Sequence, residues 1–252
     1  MVFVSWNRDP HKTLQINTTI KMKKLMFRVL NPEEEPQGQI LSSNRKSPYR
    51  IGVFDYRKLS HDIYFFAKKT GIQIINAVRV AENIPAFLDE LNAFFKSGET
   101  AFDLLQIGID DPIKSVSSKD LYDFSYNYIS DANETGLFYE FGMEHYLWEY
   151  IWEMVRNQEY PRMPARMESL FLFDKQDNAH GFLNQYRDPN YRVVEVELLD
   201  GNSQSFDMNW FSNVPSNIPM SEVEEYARNY WGQKHSENPV MEIIFQGQYM
   251  WR

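Results

Sequence analysis

The chain has 252 residues, 43% of them hydrophobic and 15% aromatic, which is enough apolar side chain for a packed core and argues against wholesale disorder. It has no cysteine, which excludes disulfides, thiolate metal sites and a cysteine nucleophile. The net charge of −9 is uneven: residues 1–58 carry 11 Lys/Arg against 5 Asp/Glu and the rest carry 15 against 30, so the surface as a whole repels phosphate while the N-terminal segment does not.

Residues 1–20 are polar, have no apolar core of a signal peptide, and read as an extended arm. No run approaches the ~18 consecutive apolar residues of a membrane span. A cytoplasmic protein with no membrane partner is expected. KKLMFRVL (23–30) reads as a strand with Arg28 as its one interior charge. Residues 31–50, rich in Pro, Ser, Asn and charge, read as a loop long enough to serve a function or a partner.

The stretch 59–159 reads as mainly helical. Asn83 is placed to cap a helix through PAFLDELNAFF that ends near Gly98. A second helix is expected over 119–129. The third, over 138–157, has Phe141, Trp148, Ile151, Trp152 and Val155 at helical spacing, the pattern of a core face rather than of a cofactor box.

From residue 160 the pattern becomes mixed. SLFLF (169–173) is a strand, and Asp174 with Asp177 resembles a capping box for a short helix through Phe182. RVVEVEL (192–198), a DGNS turn at 200–203 and QSFDMNW (204–210) read as a hairpin. Ser221 and Glu224 form a second capping-box pattern, and VMEIIFQ and QYMWR supply the last strands. Alternation in VMEIIFQ puts Glu242, Ile244 and Gln246 on one face and Met241, Ile243 and Phe245 on the other. Glu242 then sits either on a solvated face or in a cleft. Glu195 and Glu197 share one face of a strand whose regular alternation fits half-exposure better than paired-carboxylate chemistry. Asp207 reads as a plain hairpin residue.

The five histidines are scattered, with no H-E-x-x-H, so no metal site is expected. Neither G-x-G-x-x-G, a P-loop nor a G-x-S-x-G elbow is present, which removes the common dehydrogenase, NTPase and α/β-hydrolase readings.

One order of pieces remains. An arginine on an early strand is followed, after a long gap, by R-x-x-S-L-F (166–171) leading to a short helix, then VVEVEL and FDMNW, then a strand carrying E-I-I-F-Q-G (242–247). This order resembles the NAD-dependent ADP-ribosyltransferase superfamily. Its prokaryotic branch of rifampin-modifying and DarT-like transferases is the nearer part, and a bacterial family with the same R-x-x-S-x-F and D-M-x-W signatures is nearer still. The resemblance covers about 20–60 and 160–252.

It implies an α+β fold of split mixed or antiparallel sheets. The arm is 1–20, the transferase-like core 21–58 and 160–252, and the mainly helical insertion 59–159. It implies NAD as substrate, with Arg28 and Arg166 on its phosphates, Ser169 supporting the nicotinamide ribose, Phe171 and Phe173 as an aromatic wall, and Glu242 as the catalytic carboxylate. Val240 stands where several subfamilies place an acceptor-selecting Glu or Gln, which argues against arginine-directed transfer. The implied acceptor is a macromolecule, RNA or DNA ahead of protein. The implied role is an intracellular toxin of phage defence with a cognate antitoxin. An inactive, transferase-like interaction module is the reading from another class.

Overall fold

The computed structural model describes residues 25–45, 48–140, 142–186 and 189–252, so the expected arm 1–20 and Phe141 lie outside the described residues. The chain is α+β. Strands β1 (Leu25–Leu30) and β2 (Leu41–Ser42) lead into helices α1 (Pro48–Asp55), α2 (Arg57–Thr70), α3 (Ile74–Asn83) and α4 (Leu88–Ser97). A short hairpin of β3 (Ala101–Asp103) and β4 (Ser115–Ser117) precedes α5 (Ser118–Thr135) and α6 (Glu144–Glu159). Then come β5 (Leu170–Leu172), α7 (Gln176–Tyr186), β6 (Arg192–Asp207), α8 (Asn209–Ser212), α9 (Met220–Trp231) and β7 (Met241–Trp251).

The main sheet runs β1-β6-β7, all antiparallel, and β5 and β2 take successive stretches of the free edge of β7. It then closes on itself. Phe27 and Phe173 exchange two backbone hydrogen bonds of 2.8 Å, which tie β1 to the end of β5. Closure removes edges that would otherwise be open to aggregation. Alternation fills the enclosed space with Met26, Leu30, Leu170, Leu172, Val194 and Phe245, among others.

The outer face has two coats. Phe27, Val29 and Phe173 pack beside Ala179 of α7. Ile244, Phe206 and Phe171 pack into the larger helical core, which holds Ile63 of α2, Trp152 of α6 and Trp231 of α9. That core runs across residue 160 without a break.

Several local expectations change in the fold. The segment 192–207 is one long strand rather than a hairpin, and 241–251 is one strand rather than two. At the DGNS positions the chain bulges between Leu198 and Asp200, and Gly201 (φ 142°) crosses Gly247 (φ 153°). A β-carbon on either glycine would run into the partner strand's backbone, so the close crossing lets both strands bend without ending. The Ser221–Glu224 capping box does not form: Pro219 is the cap residue of α9, and Glu224 bonds Tyr64, Lys68 and Arg228. Asn83 closes α3, donating to the Arg79 carbonyl, and α4 starts only after Phe87. Loop 31–50 contains β2 and the start of α1.

The other helices follow their patterns. α5 is longer than expected and α6 begins later, but Ile151, Trp152 and Val155 are buried as their spacing predicts. Among the described residues no helix is long and apolar enough to cross a membrane.

Candidate functional site

Glu242 faces neither solvent nor an open cleft. It lies on the outer face of β7, paired across the sheet with Phe206 of β6, and is 6% exposed. Alternation forces this placement, because Ile243 and Phe245 must point into the closed sheet. The turn of 3₁₀ helix at Arg166–Glu168 swings Arg166 into the same space. Arg166 Nη1 is 3.0 Å from Glu242 Oε1. Its other nitrogens grip Glu149 of α6, with Nε at 3.0 Å from Oε2 and Nη2 at 3.2 Å from Oε1.

Tyr230 of α9 donates to Glu242 Oε1 at 2.8 Å and accepts from Arg166 Nη1. Tyr49 of α1 donates to Glu149 Oε1 at 3.0 Å. The guanidinium is held between aromatic faces, 4.1 Å from the Phe211 ring centroid and 4.6 Å from that of Phe171.

Burial alone would lower the Arg166 pKa, but Glu149, Tyr230 and Glu242 together hold it well above its ordinary value. Burial pushes the Tyr230 phenol well up, and Glu242 adds to this against Arg166. Arg166 is therefore a fixed cation and Tyr230 a fixed donor. Two carboxylates and one guanidinium form a buried, hydrogen-bonded triad between sheet and helices, an arrangement that holds a carboxylate at a defined orientation in low dielectric.

Arg28 lies elsewhere. It is on the inner face of β1, 2.6 Å from Glu35 Oε2 and 3.4 Å from the Tyr249 hydroxyl. Tyr249 itself donates to Glu35 at 2.9 Å. Burial, with Glu35 adding and Arg28 opposing, pushes Tyr249 up to about 12. Tyr249 is seven positions beyond Glu242 on β7, so the two groups are separated by roughly 20 Å of strand.

Helix α1 joins the two places. Tyr49 reaches Glu149, while Arg50 donates to the Ser169 carbonyl and feels the charges of Arg28 and Glu149. Ser169 is fully buried and its hydroxyl donates to the Ala165 carbonyl at 2.7 Å. Phe173 faces α7, on the other coat from Phe171. Thus the fold brings together Arg166, Phe171 and Glu242, puts Ser169 one turn away along the chain from Arg166, and leaves Arg28 and Phe173 apart from them.

Glu149, Tyr230 and Tyr49 were not singled out in the sequence. Glu149 carried a readable signal: it lies three residues before Trp152 and seven before Arg156, on the buried stripe of α6, where a charge needs a partner. Glu159 and Glu168 stand nearer to Arg166 in sequence, but its partners are Glu149 and Glu242.

Two further carboxylates resolve differently. Glu195 is exposed, but Glu197 is buried and takes a 2.6 Å ion pair from Arg252. Asp207, expected as a plain hairpin residue, is fully buried and accepts backbone N–H groups of Asn209 (3.1 Å), Ser236 (2.7 Å) and Val240 (3.1 Å). Among the described residues no group of three or more histidines and carboxylates could hold a metal.

The sequence pattern of the family described as "Protein of unknown function (DUF2441)" matches residues 72–250, more than half of the chain, and the chain belongs to that family. The matched span includes Glu149, Arg166, Ser169, Tyr230 and Glu242, whereas Arg28 and Tyr49 precede it. No curated protein matches the sequence.

Proposed function

We propose that the chain is an NAD-dependent ADP-ribosyltransferase with Glu242 as its catalytic carboxylate. One observation carries this reading: the glutamate of the last strand meets the arginine of the R-x-x-S segment directly, at 3.0 Å, with that segment's strand β5 hydrogen-bonded to β7. The resemblance asks for more, namely Arg28, Ser169 and Glu242 in one cleft: Ser169 is three residues from Arg166, whereas Arg28 pairs with Glu35 beside Tyr249.

In the reaction the C1′–N bond of the nicotinamide ribose breaks and nicotinamide leaves with the bonding pair. C1′ bonds to an acceptor heteroatom, whose proton passes to Glu242. Positive charge develops on the ribose, and a preorganised carboxylate in a dry site stabilises it. Arg166 and Tyr230 supply the orientation, and Phe171 a flat apolar surface.

The resemblance also gives Arg28 to the pyrophosphate, but Arg28 sits beside Tyr249, roughly 20 Å of strand from Glu242, too far to hold the pyrophosphate of an NAD whose nicotinamide ribose meets Glu242.

The favoured acceptor is RNA or DNA, guided by the basic first 58 residues, with protein as the alternative given the acidic remainder. The setting is a cytoplasmic toxin or phage-defence effector, held in check by a cognate antitoxin.

The burial of Glu242 favours a second reading, an interaction module that has kept the fold without catalysis. Nicotinamide release from NAD separates the two. The transferase releases it, and Glu242→Gln lowers the rate by at least about 100-fold. No release, together with no NAD binding in calorimetry, leaves the interaction module.

A further inference from the structure

We propose that the groove between α2 and α5 is a binding site for an organic cation, an ammonium group carried on an aromatic or aliphatic stem. The groove encloses about 440 Å³, the size of a small-molecule site. None of Arg28, Arg166 or Glu242 lines it, so the proposal stands apart from the transferase reading.

Asp62 is the anchor. It lines the groove, is 9% exposed, and its Oδ2 is shut from solvent with no hydrogen-bond partner. Buried carboxylate oxygens in folded proteins are almost always paired, so this one lacks a donor that a ligand can bring. The balance of charge selects a cation. Lys68 is held by Glu224 at 2.6 Å and by the Tyr64 hydroxyl at 2.8 Å, and Lys69 is held by Asp120 at 2.5 Å. With both lysines matched, Asp123 and, once it gives up its proton, Asp62 leave the groove negative. Burial holds the His61 ring below its ordinary pKa, against Asp131, so it is neutral near pH 7 and does not compete.

The walls select the stem. Phe66 and Phe124 stack at 4.2 Å across the two helices, and Phe65 is half exposed with its ring 4.5 Å from His61. Phe66 and Phe124 are buried against each other, so the exposed Phe65 ring is the aromatic surface that an ammonium on an apolar body would meet beside Asp62. Burial, with Asp131 adding and Lys58 opposing, raises Asp62 to about 7, so it holds a proton near neutrality and releases it when a cation arrives.

The test is isothermal calorimetry of the full chain with benzylammonium, benzyl alcohol and benzoate. The cation should bind at least about tenfold more tightly than the alcohol, and benzoate should not bind. Its enthalpy should depend on the ionisation heat of the buffer, as proton release requires. Asp62→Asn, nearly isosteric, should weaken the cation by at least about tenfold. Should that variant fail to fold, amide shifts in the wild type decide the matter: benzylammonium should move residues 61–66 and 120–127. Equal affinity for cation and alcohol, an unchanged Asp62→Asn variant, shifts elsewhere, or no binding up to about 10 mM would overturn the proposal.

Discussion

Arg166 and Glu242 form a 3.0 Å ion pair, neither side chain more than 8% exposed, and Arg166 holds Glu149 by two further bonds from the opposite side. One guanidinium therefore joins the last strand to α6, the middle of the helical layer. Removing it strands two carboxylates in low dielectric. Arg166→Met should cost about 3–5 kcal/mol in urea unfolding, while Glu242→Gln, which still accepts from Tyr230, should cost about 1–2. A loss below about 1 kcal/mol for Arg166→Met would mean that water reaches the triad.

The Gly201–Gly247 crossing should be equally sensitive. Both residues have positive φ, and a β-carbon on either meets the backbone of the other strand. Gly247→Ala should destabilise by roughly 3 kcal/mol or more in thermal melts, with Gly201→Ala similar. A neutral result for either would show that the strands separate freely there.

Asp207 should give the fold an acid limit. Burial opposes its ionisation, but Ser236 and the N–H groups of Asn209 and Val240 outweigh that and hold its pKa below the ordinary carboxylate value. Its folded-state pKa is thus depressed. The stability it gives is complete above the unfolded value near ~4 and is lost as pH falls through the lower folded value. Asp207→Asn should be less stable than wild type at neutral pH, and the gap should narrow in the acid range. Parallel pH–stability curves would contradict this.

Asp62 works in the opposite sense. Its raised folded pKa, about 7, means that the folded chain keeps a proton the unfolded chain gives up near ~4. Folding is penalised increasingly from about pH 4 to pH 7, and the penalty levels off above that. Asp62→Asn should be more stable than wild type by on the order of 4 kcal/mol at about pH 8, and the gain should fade by about pH 4. The check is denaturant unfolding at the two pH values.

What the sequence made legible was local. The alternation of EIIFQ placed Glu242 and Ile244 on one face and Ile243 and Phe245 on the other, and the closed sheet uses both faces in that way. The stripe of α6 showed because Ile151, Trp152 and Val155 repeat at helical spacing. The misreadings arose where a distant partner overrides a local pattern. DGNS is a good turn, yet Gly201 serves a crossing with Gly247 that no short window contains. Ser221 and Glu224 fit a capping box, but Glu224 is worth more to the buried Tyr64 hydroxyl, 160 residues away, and to Lys68. Arg166 had acidic neighbours in sequence and chose Glu149 and Glu242, which are buried with it, whereas Glu159 and Glu168 are exposed.

The most direct test of the transferase reading is incubation of the purified protein with labelled NAD and total cell RNA, DNA and protein, beside a Glu242→Gln variant whose fold has been checked by circular dichroism. The account predicts label in one macromolecular fraction, nucleic acid ahead of protein, and its loss in the variant. No label in any fraction, with no binding of NAD, would contradict it.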